Sequence, residues 1–271
     1  MAKESAVKKE EVKPTSEALA VKPNQAIALM NFQDDAGAGQ EGADKESFAI
    51  PFLLMLQPMS PVVVDELVPG AKAGMIMNTV TNTLYKTAEI IPVAFSRRFL
   101  QWAPRDAKDG GFKGIHQVSD MEKMRADGVV KQNDDGLLVN KEGHFYRDTR
   151  QHYVLIREGD VWTQAMLSMT STQIKRSKRL MTIIGSYKLS GAGGGMFNPP
   201  SFARYFSAIS EKETNEKGTW YSWLINPIGL VEDPNVYAEA KLFHKMMVEG
   251  KVKVDYEKAE GDDGVSKGDG F

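Results

Sequence analysis

Polar and small residues dominate the first stretch of the chain. Residues 1–46 mix Ala, Glu, Lys and Gly, and no apolar face there offsets the entropy of ordering. They read as a disordered or weakly ordered tail, with a short helix over Ala18–Phe32 that is transient or docked. An apolar run, FAIPFLLMLQPMSPVVV, opens the body near Ser47. Pro51, Pro58 and Pro61 interrupt it, so it reads as buried but partly irregular. Two β-like runs follow, Gly74–Val80 and Ile90–Phe99, with a turn at Thr81-Asn82. Residues 103–144 turn polar and Gly/Asp-rich. They read as a long mobile insertion with a short helix near Asp120–Arg125.

Past the insertion the pattern tightens. Tyr153–Arg157 and Val161–Met169 flank Glu158-Gly159-Asp160, the clearest hairpin in the chain. A helix follows over TQIKRSKRLMTII, capped by Thr170 or Ser171 and ending at Gly185. SGAGGGMFNPP is a loop. Phe202–Ser210 and Thr219–Ile225 are two further strands around the charged turn EKETNEKG. Asp233-Pro234 starts a last helix, carried by Val236, Ala240, Phe243 and Met247 to Gly250. Residues 251–271 return to a polar, acidic tail. The expected fold is mostly β or α+β: an OB-like small barrel, or a curved antiparallel sheet, with two appended helices. Residues 47–250 form a single globular domain.

Composition narrows the function. The 271 residues are 42% hydrophobic and 26% charged, an ordinary globular balance. Cysteine is absent, which excludes disulfides, thiolate metal sites and a Cys nucleophile. No apolar stretch reaches membrane-spanning length, and the N-terminus lacks the apolar core of a secretory signal. The protein is therefore expected in the cytoplasm. Net charge is −2, but residues 1–46 carry −3 and residues 255–271 carry −4, which leaves the body at +5. A basic body between acidic ends is a mild pointer to a polyanion.

Catalytic patterns are missing. His116, His144, His152 and His244 show no metal-binding spacing, and SGAGGG lacks the Gly-Lys-Ser/Thr of a phosphate loop. No nucleophile, base or carboxylate pair stands out, so the expectation is a binding protein and not an enzyme, with no cofactor and no metal.

Binding patterns are present. Lys175, Arg176, Lys178 and Arg179 place four cations in five positions of one helix, with Lys188 just beyond. No carboxylate lies between Thr170 and Ser190 to neutralise them, so they form either a solvated helix face or a stripe that tracks phosphates. Arg97, Arg98 and Arg105 interleave with Phe99 and Trp102 in SRRFLQWAPRD, as core anchors or as stacking groups. The two late strands carry rings on both faces, including Tyr205, Tyr221 and Trp223, with Arg204 beside them. One face suits the core and the other suits either bases or a subunit interface. Asp262, Asp263 and Asp269 lead to Phe271, an acidic end suited to recruiting a partner.

IPFLLMLQPMSP, GMIMNTVT, IIPVAFSRRFLQWAPRD, DTRQHYVLI, LSMTSTQIKRSKRLM and NEKGTWYSWLI together resemble a family of bacteriophage single-stranded DNA-binding proteins, over roughly Phe48 to Gly250. The acidic tail with its last Phe is similar to those of phage and bacterial single-strand binders. The resemblance implies an OB-like barrel, a role in phage replication or recombination, and sequence-tolerant binding. It assigns no residue. The reading that follows is a groove of Arg97, Arg98, Arg105, Lys175, Arg176, Lys178, Arg179, Lys188 and Arg204, with Trp102, Tyr205, Tyr221 and Trp223 stacking bases. Replication or recombination proteins would be recruited through the tail, and the protein could be a homo-oligomer. The alternatives are a virion or assembly protein, whose ring-rich faces are subunit interfaces, and an adaptor that binds a host protein.

Overall fold

The computed structural model describes residues 34–43, 49–104, 106–216, 218–250 and 254. Two long antiparallel strands form its frame, β4 (Thr87–Ala103) and β8 (Phe145–Glu158). They pair from Ile90↔Ile156 to Trp102↔Phe145. The register shifts between Pro92 and Ala94, and this irregularity lets a proline sit inside a central strand.

Before β4 come β1 (Leu53–Met55), a single-turn helix α1 (Pro61–Val64), β2 (Ile76–Asn78) and β3 (Leu84–Tyr85). The three strands form a small sheet of their own, so the irregular leading segment carries more order than its prolines announce. Between β4 and β8 lie β5 (Gly111–His116), α2 (Val118–Ala126), β6 (Val130–Gln132) and β7 (Leu138–Asn140). Residues 103–144, expected as a mobile insertion, here build an arm. Met121 and Val130 pack with Phe99 and Tyr146 of the frame, and α2 covers the short helix expected at Asp120–Arg125.

The chain then forms β9 (Val161–Thr170), α3 (Ile174–Ser186), the two-residue strands β10 (Leu189–Ser190) and β11 (Met196–Phe197), β12 (Arg204–Asn215), β13 (Gly218–Leu230) and α4 (Pro234–Val248). The β8–β9 hairpin turns at Gly159-Asp160, where Gly159 takes φ 65°, a conformation glycine adopts without strain. Around the frame the main sheet forks. Its barrel end runs β13-β12-β4-β8-β9, and its arm end runs β5-β4-β8-β7-β6. The whole is a curled, mostly antiparallel half-barrel with four helices, consistent with the expected OB-like, mostly β or α+β fold. β12 and β13 run further than expected. The charged turn EKETNEKG is mostly strand, while Phe202 falls in a 3-10 turn before β12.

Both faces of the frame are buried. One packs Ile90, Ile156, Leu167, Phe206, Trp223 and Ile225 under Leu180 of α3. The other packs Ile91, Leu155, Met166 and Phe202 under Ala240 and Phe243 of α4. This two-sided burial explains why IIPVAF and YVLI read as continuous apolar runs and not as alternations. Each fully buried large apolar side chain contributes about 1.5–3 kcal/mol. α4 starts as expected: the Asp233 side chain accepts from the Asn235 N–H at 2.8 Å, with Pro234 in the first position.

Candidate functional site

The four cations of α3 are mostly engaged. Lys175 pairs with Glu213 at 2.7 Å. Arg176 donates to Glu213 at 2.7 Å and also to Glu211. Arg179 donates to the Ile225 carbonyl at 2.6 Å and to Asn226 Oδ1 at 2.8 Å. Of the four, only Lys178 has an exposed side chain with no hydrogen bond or ion pair among the described residues. The absence of carboxylates between 170 and 190 is real, but β12 brings Glu211 and Glu213 across. Burial pushes the Glu213 carboxyl up, yet hydrogen bonds from Arg176, Lys175 and Ser222 outweigh it and lower it to about 2.

Beside these pairs, side chains close the outer edge of β13. Gln57 Oε1 accepts from the Tyr221 N–H at 2.9 Å, and its Nε2 donates to the Tyr221 carbonyl at 3.0 Å. Gln173 accepts from the Trp223 N–H at 3.1 Å and donates to the same Tyr221 carbonyl at 3.1 Å. Two amides and the Arg179 guanidinium thus satisfy backbone groups that a neighbouring strand would otherwise fill.

The rings named from sequence divide. Trp223 is 3% exposed and Trp102 is 5% exposed, so both are core residues and offer no stacking face. Trp223 shares a face of β13 with Tyr221 and Ile225, and that face is the core face. Tyr221 is half-buried and lies so close to Gly74 that a Cβ there would come within 2.6 Å of its ring. Tyr205 is half-buried against Gly229. Arg204 stacks on Tyr187 with 3.9 Å from guanidinium to ring centre. Arg98 donates to the Arg97 carbonyl at 3.1 Å, and alternation points it to the opposite face of β4 from Arg97. Lys188 is exposed. Arg105, Asp262, Asp263, Asp269 and Phe271 lie outside the described residues.

A different cluster emerges where barrel and arm meet. On one face of the frame, Phe95 lies opposite His152, Arg97 opposite Arg150, and Phe99 opposite Asp148. Phe95 is 38% exposed, its ring 5.0 Å from that of His152. The Arg97 guanidinium grips Asp148 through Nε at 3.0 Å and Nη2 at 2.7 Å, and lies 5.3 Å over the Phe99 ring. Arg150 Nε sits 3.4 Å from the same carboxylate but makes no hydrogen bond. Asp148 is thus shared by two guanidinium groups, while Glu122 of α2 acts on Arg97 at longer range. His152 is buried and hydrogen-bonded to Ser177 of α3 at 2.8 Å. Burial lowers its pKa to about 4, with the Arg150 charge adding to the effect, so the ring is neutral at pH 7. Further along the same face, the Gln101 amide bridges His116 and His144, at 2.8 Å to each.

Sequence reasoning missed Phe95 and Arg150. The signal was strand alternation. Within β4 it places Phe95, Arg97 and Phe99 on one face, and within β8 it places Asp148, Arg150 and His152 on the facing one.

The family model described as Pam3 phage gp34-like protein matches residues 20–253. The chain belongs to the Pam3 phage gp34-like family. The match takes in every element from β1 to α4, and with them both the α3 ion pairs and the Phe95–Arg97–Arg150 cluster. It makes this chain a bacteriophage protein, as the sequence resemblance implied. No curated protein and no solved structure matches this gp34-like chain. Among its described residues, no helix is long and apolar enough to cross a membrane, and no group of three or more His, Asp or Glu could hold a metal ion.

Proposed function

We propose that this phage protein binds single-stranded DNA with little sequence preference, in replication or recombination, and is a binding protein rather than an enzyme. The observation that carries the reading is the exposed Phe95 ring on the same sheet face as Arg97 and Arg150. Unpaired bases present π faces at every position, and a ring beside guanidinium groups meets both base and backbone. Each stacked base contributes about 1–3 kcal/mol in such systems. Lys178, Lys188 and Arg204, the last on Tyr187, are the cations from which a strand's path would extend, while Arg98 points to the other face of β4. Lys175, Arg176 and Arg179 serve instead to fasten α3 to β12 and β13. Residues 255–271, with net charge −4, compete for the same cations and recruit partner proteins.

A second reading, a virion or assembly protein, draws support from exposed Met196 and Phe197 on the β10–β11 hairpin and from Leu242 and Val248 on α4. It predicts a stable oligomer without DNA.

The test is titration of the full chain with fluorescent oligo-dT and with a matched duplex, from low to high salt, alongside mass photometry. The expected result is single-strand binding that weakens steeply with salt, and weaker duplex binding. No single-strand binding at low salt, together with a DNA-free oligomer, would replace this reading with the assembly one.

A further inference from the structure

We propose that Arg97 and Arg150 form an anion site for a phosphate group, and that Asp148 is a resident mimic of that phosphate which the ligand displaces. For its natural ligand, a phosphate of a single strand, the inference rests on the reading above; the site itself rests on geometry.

Arg97 holds Asp148 in a two-pronged grip through Nε and Nη2, the fork geometry that guanidinium groups use equally for carboxylate and phosphate. Both oxygens of Asp148 are turned to Arg97, with Oδ1 at 3.0 Å and Oδ2 at 2.7 Å. Arg150 comes to 3.4 Å, yet its Nε is buried without an acceptor. Held in the Arg97 fork, the carboxylate leaves the Arg150 Nε donor unsatisfied. A phosphate brings more oxygens and more charge, so it can serve both forks. The local balance also favours an incoming anion. Two guanidinium charges face one carboxylate, Glu122 acts on Arg97 only at longer range, and His152 beside them is neutral at pH 7. The site is reachable: the Arg97 side chain is 37% exposed and Asp148 22%.

A tethered carboxylate makes the site selective. Free phosphate brings only its charge against a counter-ion already in place. A strand also brings a base to stack on Phe95, two residues along the same face. The wild-type chain therefore takes a polynucleotide and ignores inorganic phosphate.

The experiment compares the wild-type chain, Asp148→Asn and Arg150→Lys. Oligo-dT binding is followed by fluorescence across a salt series and inorganic phosphate binding by calorimetry, with thermal midpoints as a folding check. Asp148→Asn keeps an acceptor for Arg97 while removing the charge. It is expected to bind oligo-dT about tenfold more tightly, to steepen the log–log salt slope by about 0.7 for one added phosphate contact, and to gain measurable phosphate binding. Arg150→Lys keeps the charge but loses the Nε donor, and is expected to weaken oligo-dT binding about three- to tenfold. Asp148→Asn binding both ligands no better than wild type overturns the inference; if that variant does not fold, an Arg150→Lys affinity equal to wild type does so. If no variant binds oligo-dT but Asp148→Asn gains inorganic phosphate, the anion site stands and the single-strand reading falls.

Discussion

α3 and the β4–β8 frame both carry clustered cations, and the fold treats them in opposite ways. On α3 the cations outnumber every acid within reach along the sequence. Across space, Glu211 and Glu213 take up Lys175 and Arg176, while Arg179 caps backbone on β13. On the frame, Arg97 of β4 and Arg150 of β8 face each other across one strand pair and converge on one carboxylate that hydrogen-bonds only the first. A dense cationic run can therefore be structural, while two arginines far apart in sequence meet across a strand pair with one guanidinium left short of an acceptor. The comparison predicts that changes on α3 act on stability, and changes on the frame act on ligand affinity.

The largest effect should come from Arg176→Met. It takes away the one partner of Glu211 among the described residues, leaves Glu213 with Lys175 alone, and should cost about 3 kcal/mol of unfolding free energy, read from the denaturant midpoint. Oligo-dT affinity should stay within about twofold; a large loss of affinity with intact stability would return α3 to the binding surface. Acid should act next. His152 is lowered from 6.5 to about 4 in the folded chain, so the unfolded state takes up a proton first as pH falls. Stability is full above 6.5 and declines by roughly 2–3 kcal/mol as pH falls to 4. Glu213, lowered from 4.5 to about 2, is ionised in the fold and adds a second decline from 4.5 towards 2. His152→Asn should flatten the first limb alone in a pH series of melts.

Gln173→Ala uncovers the Trp223 N–H and takes one of two donors from the Tyr221 carbonyl, and should cost about 1–3 kcal/mol, again without touching DNA binding. Phe95→Ala should show the reverse. It should lose about 1–2 kcal/mol of single-strand affinity in a fluorescence titration, with no more than about 1 kcal/mol of stability, since the ring is already partly in water. Lys178→Ala should be the smallest. The side chain is exposed and unengaged, so stability should hold within about 0.5 kcal/mol and affinity should fall only at low salt.

Much of the fold was legible because local rules set it. The Gly159-Asp160 hairpin, the Asp233-Pro234 start of α4 and the α3 span follow from turn and cap chemistry within a few residues. The arm was less legible: its strands are three to six residues long and polar, and they gain order by pairing with the frame. The candidate site was half legible. Arg97 was named, but Phe95 and Arg150 were not, because composition clusters drew attention to α3 while alternation along β4 and β8 held the relevant signal. Trp102 and Trp223 show the same limit from the other side, since ring-rich strands do not declare which face is inward.

The stitched edge of β13 bears on the order of assembly. Gln57 and Tyr221 are 164 positions apart, so the seam joins the start of the described body to nearly its end. On a ribosome the β8–β9 hairpin can form as soon as it emerges, but this seam waits until β13 has been made. The barrel should therefore be sealed last, and the Tyr221 and Trp223 amides should gain protection from hydrogen exchange after those of β8. Until then the edge of β13 is open to a second nascent chain, and the two glutamines are what ends that interval of vulnerability.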